Sequence, residues 1–277
     1  MAKPDAIRPV GSSKHLFWGL YGPSSAGKTT FVSSFPNSLL IRPGIEHTES
    51  VLGTAAPGVE EWIVKDWNEM MLDGGVLEYL QHEGHKHSFV WLDSISGWQD
   101  IGLDDVWSDT VARFPHRKKT PIDRGEYNAN FVRLAQFVRH CVGFDSFNFG
   151  FTAWPEELED AETGETRLMP WIQGKNMSNR MVGYMKLVTY LERKETGKKD
   201  EKKMVRVMRW AENDTYFTKD QVHLHLVNDT GRMVNPTMPK MMDLIEQARA
   251  AKAAAASSRK STTSKRPARR RPARRTS

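Results

Sequence analysis

With 277 residues, 39% of them hydrophobic, the chain can bury a full core as one large domain or two small ones. Its one cysteine, Cys141, excludes a disulfide framework, and with neither a bilayer-length apolar run nor a signal-peptide core the expectation is a soluble, cytoplasmic protein with no membrane partner. The net charge is +6, but nine basic and no acidic residues lie in 259–277, so residues 1–258 carry −3 and the tail alone makes the chain basic.

In chain order, HLFWGLY (15–21) predicts a buried strand ending at a glycine-rich turn. KTTFVSSF then begins a helix that Pro36 closes. SLLIR (38–42) and EWIVK (61–65) read as short strands, and a helix weakened by Gly74 and Gly75 is expected between Asp66 and His82. SFVWLDS (88–94) is another buried strand, ending in an aspartate. VARFPHRKKTPIDRGE (111–126) reads as a loop. Phe131, Leu134, Ala135, Val138 and Val142 recur at helical spacing and predict an amphipathic helix over 126–143. FNFGFTAW (147–154) is a strand, KLVTYLER and MVRVMRW a hairpin near 186–210, and a last helix runs from about Pro239 into alanines that offer little to pack. Strands alternating with helices over the first 155 residues predict an α/β fold with a largely parallel central sheet. The expected division is an N-terminal extension (1–14), a core (15–236), a C-terminal helix (237–257) and a disordered basic tail (258–277).

The turn after the first strand, YGPSSAGKTT (21–30), meets the pattern G-x-x-x-x-G-K-[ST]. Gly22 and Gly27, with Pro23, Ser24, Ser25 and Ala26 between them, let a loop wrap closely around phosphates with its amides inward. Lys28 would neutralise β- and γ-phosphate oxygens, the Thr29 hydroxyl would ligate Mg²⁺, and Thr30 completes the cradle, with the positive end of the following helix behind it. A chance match would not also need to fall between an apolar strand and a helix. Such a loop needs an aspartate at a neighbouring strand tip to hold the metal, and Asp93 supplies one; a plain strand-end cap is the alternative. Hydrolysis also needs a group that activates water. Glu46, in IRPGIEHTES, would face the γ-phosphate if its strand sits between those of the loop and of Asp93, with Glu49 as competitor and a solvated loop acid as the plain alternative. His82, His85 and His87 lack the cysteine or carboxylate that would complete a metal set.

GPSSAGKTT together with FVWLDSISG resembles the RecA-like branch of P-loop ATPases, and IEHT resembles that branch's Glu-containing segment after the second core strand. The order FGFTAW, LMPWIQGKNM, VTYLER, YFTKDQ is similar to short phage-encoded RecA-like ATPases of the single-strand annealing and recombination type, over about residues 15–225. The resemblance implies a RecA-like P-loop NTPase core, ATP and Mg²⁺ as cofactors, a homo-oligomer with nucleotide between subunits, and the host-cell cytoplasm as its place. It carries over Lys28 and Thr29 for phosphate and Mg²⁺, Asp93 for the metal shell and Glu46 for the water. Lys219 falls where relatives often show Lys-x-Arg reaching a neighbour's nucleotide, but Gln221 takes the second basic position, and an ordinary surface lysine is the plainer reading.

RecA-like proteins usually face DNA with the loop after the FGFTAW strand. Here that loop opens with Glu156, Glu157, Glu159, Asp160, Glu162 and Glu165, which repel a phosphate backbone. Its later part, 167–180, carries Arg167, Trp171, Lys175 and Arg180. Trp154 and Trp171 either stack on unpaired bases or anchor the core. The tail KRPARRRPARR can lie along a polyanion without folding, which makes single-stranded DNA the expected partner; an RNA-binding arm or a solubilising terminus are its alternatives. The combined reading is a protein that binds and hydrolyses ATP while acting on single-stranded DNA. Its rivals are a nucleotide-locked DNA-binding or loader protein with little hydrolysis, and a small-molecule P-loop kinase, for which no lid segment is evident.

Overall fold

A computed structural model of the chain describes residues 15–46, 49–71, 74–82, 85–159, 164–173, 177–197 and 202–263. In chain order its elements are β1 (Phe17–Tyr21), α1 (Lys28–Val32), β2 (Ser38–Pro43), β3 (Glu60–Val64), α2 (Trp67–Met71), α3 (Val76–Gln81), β4 (Phe89–Leu92), α4 (Ile95–Arg113) and α5 (Arg124–Gly143). There follow β5 (Asn148–Ala153), β6 (Pro155–Glu159), β7 (Thr166–Pro170), α6 (Met177–Tyr184), β8 (Leu187–Thr196), β9 (Lys203–Arg209), β10 (Lys219–Asp220), β11 (Arg232–Val234) and α7 (Met238–Thr263).

The main sheet runs β3-β2-β4-β5-β1-β8-β9-β11. From β3 to β8 every neighbouring pair is parallel; β9 and β11 then pair antiparallel, and β10 joins the start of β8. The alternation along each strand sorts side chains into two cores. Phe17 and Tyr21 of β1, with Val90 and Leu92 of β4, pack against Trp67, Trp98, Phe131 and Val182. Trp18 and Leu20, with Phe89 and Trp91, face Phe31 of α1 and Met241 and Ile245 of α7. A parallel strand covered on both faces must be apolar at every position, which is why these segments read as unbroken hydrophobic runs. The fold is therefore α/β, with a mainly parallel central sheet between helical layers.

Several sequence expectations change. The single helix between Asp66 and His82 is two helices, α2 and α3; Gly74 lies between them at φ 81°, a left-handed conformation that no continuous helix contains. Residues 95–110, unassigned from the sequence, form most of α4, whose first turn is capped by Ser94 Oγ accepting the Gly97 amide at 3.1 Å. The expected loop over 111–126 begins inside α4 and ends inside α5, with a short 3₁₀ turn at Pro115–Lys119 between them. There Asp123 and Glu126 form a capping box, and Arg117 bonds both carboxylates at 2.9 Å. The last helix passes the expected end at 257 and reaches Thr263; Met238, Met241, Ile245 and Ala248 bury its first half. The N-terminal extension (1–14) and most of the basic tail (264–277) lie outside the described residues, as do Asp160, Glu162 and Lys175. No helix among the described residues is long and apolar enough to cross a membrane.

Candidate functional site

β1 delivers the chain to the middle of the sheet's carboxyl edge, and the glycine-rich loop leaves from there. At Gly22 a side chain would run into the Leu191 carbonyl of β8, and the Gly22 amide donates to the Ala153 carbonyl of β5 at 3.2 Å. The loop thus emerges between two strands with no room for a Cβ. Ser25 and Gly27 are both left-handed, at φ 63° and 97°, which turns the backbone back on itself. Lys28 is buried, and its ammonium donates to the carbonyls of Gly22 (2.8 Å) and Pro23 (3.1 Å). Burial lowers the Lys28 pKa, against the opposing pull of the Asp93 and Glu46 charges. The helix expected to add its dipole is short: α1 has five residues, so loop amides and side chains carry the electrostatics here.

Opposite the loop stand two acids. Asp93, 2% exposed at the end of β4, accepts a hydrogen bond from the Thr152 hydroxyl of β5, and its amide donates to the Ile41 carbonyl at 3.0 Å. The Asp93–Ser94 peptide is cis. Ser94 Oγ donates to Glu46 Oε1 at 2.5 Å while capping α4, so one hydroxyl both starts the helix and orients the carboxylate. The Glu46 carbonyl accepts from Arg42 at 2.8 Å. Burial raises the Glu46 pKa, the nearby Asp93 charge adds to that, and the Ser94 bonds and Arg42 oppose it.

The strand order corrects the expected route by which Glu46 reaches the loop. β2 does not lie between β1 and β4; β5 does, and β2 is one place further out. Glu46 arrives because the segment after β2 folds back across the end of β4 to Ser94. Glu49 is exposed at the start of a 3₁₀ turn and does not line the cavity. Ser24, Ser25, Gly27, Lys28, Thr29, Thr30, Glu46 and Asp93 line one cavity of about 390 Å³. Gly22, Pro23 and Ala26 shape the loop from behind: Ala26 is buried, and its amide donates to the Pro23 carbonyl at 3.2 Å.

Two lining residues, Ser94 and Arg206, escaped sequence reasoning, and Trp154, expected to stack on bases or anchor the core, lines the cavity as well. Ser94 adjoins the aspartate motif and could have been taken with it. Arg206, on β9, has no motif to mark it. Lys219, weighed as a reach to a neighbouring subunit, donates to the Val182 and Gly183 carbonyls at 3.2 and 3.1 Å and so closes the last turn of α6.

Beside the cavity, β6 and β7 form a two-stranded hairpin. The rings of Trp154 and Trp171 stack on each other, 5.5 Å between centroids and 3° from parallel. Ser96 Oγ accepts the Trp154 amide (3.0 Å) and donates to the Trp171 carbonyl (3.1 Å), and Gln99 accepts the Gln173 amide. The pair is thereby tied to the first turns of α4. Arg167 pairs with Glu165 at 3.7 Å, Arg180 lies over the Phe131 ring at 5.7 Å, and Glu156 accepts from Ser178 at 3.2 Å. His85 and His87 stack on each other against Tyr79, and no group of three metal-ligating side chains occurs among the described residues.

A family model described as an AAA domain matches residues 16–222. No curated protein matches the chain. Among solved structures, that of the RadB recombinase is similar at 12% identity and a TM-score of 0.40, over 70% of this chain and 79% of that one.

Proposed function

This chain belongs to the AAA-domain family of P-loop ATPases, and from that premise we propose that it hydrolyses ATP with Mg²⁺ while acting on single-stranded DNA. The setting is phage recombination or replication, and the working form is a homo-oligomer in the host cytoplasm. The observation that supports the reading best is the convergence of Lys28, Thr29, Glu46 and Asp93, from the ends of three different strands, on one cavity.

The donor set fits the group. A hydroxyl and a carboxylate, Thr29 and Asp93, are the hard oxygen ligands Mg²⁺ takes, and the loop keeps glycine where a side chain would collide. Bound ATP supplies a phosphoanhydride whose terminal phosphoryl group passes to water. Lys28 holds phosphate charge in place of the two neutral carbonyls it now bonds. Thr152 fixes the Asp93 carboxylate that would hold the metal's water shell. Glu46, made more basic by burial and aimed by Ser94, takes the proton from the attacking water.

For DNA, the support is the nine-charge terminus and the hydroxyl link from the cavity to the hairpin, in which Ser94 and Ser96 share one turn of chain and the 167–180 segment follows. The test is ATP turnover with and without single-stranded DNA at low salt, alongside Lys28→Ala. The expected result is stimulation by DNA and loss of nucleotide binding in the variant. Turnover that survives Lys28→Ala removes the ATPase reading; absence of both stimulation and DNA binding removes the DNA reading alone.

A further inference from the structure

The hairpin of β8 and β9 brings a second cation to the nucleotide cavity from a distant part of the chain. Arg206 lines that cavity, and its side chain lies so close to Gly27 that a Cβ there would meet Cζ at 2.8 Å and Cδ at 2.9 Å. Its backbone is pinned on both sides by Asn235: the Arg206 amide donates to Asn235 Oδ1 (3.1 Å) and its carbonyl accepts the Asn235 amide (2.7 Å). Asn235 holds a left-handed φ of 46° to do so.

Directly across the hairpin from Arg206 is Arg193, on the sheet face that further down buries Leu191 and Met208. Like charges placed opposite each other in a ladder are destabilising. Two other cations of the hairpin are paired: Arg209 bonds Glu192 at 2.7 Å and Lys202 bonds Glu195 at 3.0 Å. Among the described residues no carboxylate pairs with Arg206 or Arg193. An arginine lining a cavity, with a second arginine opposite it in the ladder, is suited to an anion.

The electrostatics of the cavity require such a group. A triphosphate keeps net negative charge even with a divalent ion bound. Lys28 shares the space with Asp93 and Glu46, so one ammonium cannot balance the acids and the phosphates together. Among the lining residues the other cation is Arg206. We propose that Arg206 is a phosphate ligand of the bound nucleotide, supplied in cis by the same chain's β8–β9 hairpin, with Arg193 adding charge from across the ladder. This rests on the reading of the cavity as an ATP site. Gly27 then has two reasons to be glycine: its backbone conformation, and the space the guanidinium occupies.

The experiment measures binding of a fluorescent ATP analogue, with inorganic tripolyphosphate as competitor, to the full chain and to the Arg206→Ala, Arg206→Lys, Arg193→Ala and Lys28→Ala variants. We expect Arg206→Ala to weaken both ligands by about tenfold or more, Arg206→Lys to recover part of the loss, and Arg193→Ala to cost about two- to threefold. Without nucleotide, Arg206→Ala should melt no lower than the native chain, since it relieves a like-charge pair; should it fail to fold, the lysine variant carries the comparison. A loss for the ATP analogue with none for tripolyphosphate would mean a contact to base or sugar and overturns the assignment. Mixing Lys28→Ala with Arg206→Ala subunits should recover no tight sites, and recovery would show the arginine acting across subunits. A native chain that binds no ATP removes the ATP reading itself; native binding matched by Arg206→Ala removes Arg206 only.

Discussion

The nucleotide cavity and the β6–β7 hairpin are neighbours at the carboxyl edge of the sheet, and they hold their charges in opposite ways. In the cavity Lys28 and Asp93 are buried, Lys28 fixed by donating to the Gly22 carbonyl of its own loop and Asp93 by accepting from Thr152 of β5. In the hairpin Glu157 and Glu159 are exposed, and among the described residues Arg167 pairs at long range, 3.7 Å to Glu165 and 3.9 Å to the fully exposed Asp214. Burying an ionised group costs several kcal/mol unless partners compensate, whereas an exposed ion pair is worth about 0–1 kcal/mol. Charges in the cavity are held against a cost, as the proposed chemistry requires; those of the hairpin are solvated. What joins the two regions is neutral: the Ser96 hydroxyl, the Gln99 amide and the backbone of Trp154 and Trp171.

On that contrast the largest effects come from the cavity. Lys28→Ala should lower ATP affinity by about 100-fold or more by calorimetry and take turnover to background, because it removes the buried cation and leaves Arg206 alone against Asp93, Glu46 and the phosphates. Glu46→Gln should cut turnover by about 10²–10⁴-fold with ATP affinity held within about threefold, since the amide keeps the bond from Ser94 but cannot take a proton. Turnover in the native chain should fall on acidification along a limb that lies above the usual carboxylate value near 4.5, as burial raises Glu46. Stability follows with a definite sign. A raised folded pKa means that ionising Glu46 costs more folded than unfolded, so near pH 7 the glutamine variant should melt at the same temperature or higher. That advantage should vanish as the pH falls through the raised pKa toward the ordinary one. An intermediate effect belongs to the tail: deleting 259–277 should weaken single-stranded DNA binding and remove most of its salt dependence, a slope of about −4 if about six charges meet phosphates. DNA binding unchanged by the deletion would place the contact in the folded body.

How far these features were legible in the sequence depends on distance along the chain. The phosphate loop and Asp93 could be read because each is a local pattern: an apolar strand with its functional group at the tip. The insertion of β5 between β1 and β4 could not, because the order of parallel strands is set by the crossovers between them, not by the strands themselves. α4 was half visible. Ile95, Trp98, Leu103 and Val106 fall close to helical spacing, but Gly97 and Gly102 mask it, and those glycines are there for close approach, to Glu46 and to Asn130 of α5. Arg206 left no trace, since its meaning comes from the hairpin register and from Asn235, neither of which is near the loop in sequence.

The smallest predicted effect is the most direct test of the contrast. Replacing both Glu157 and Glu159 by glutamine removes two exposed charges from the hairpin without altering any buried partner. At 0.1 M salt the Debye length is about 10 Å, and solvent-exposed charges are largely screened beyond it. ATP turnover without DNA should therefore stay within about twofold of native. Affinity for single-stranded DNA should rise by about two- to threefold at low salt as repulsion is relieved, and the gain should disappear as salt increases. If basal turnover instead moved tenfold, the hairpin carboxylates would be acting on the cavity through the Ser96 and Gln99 links, and the division between a buried charge set and a solvated fringe would not hold.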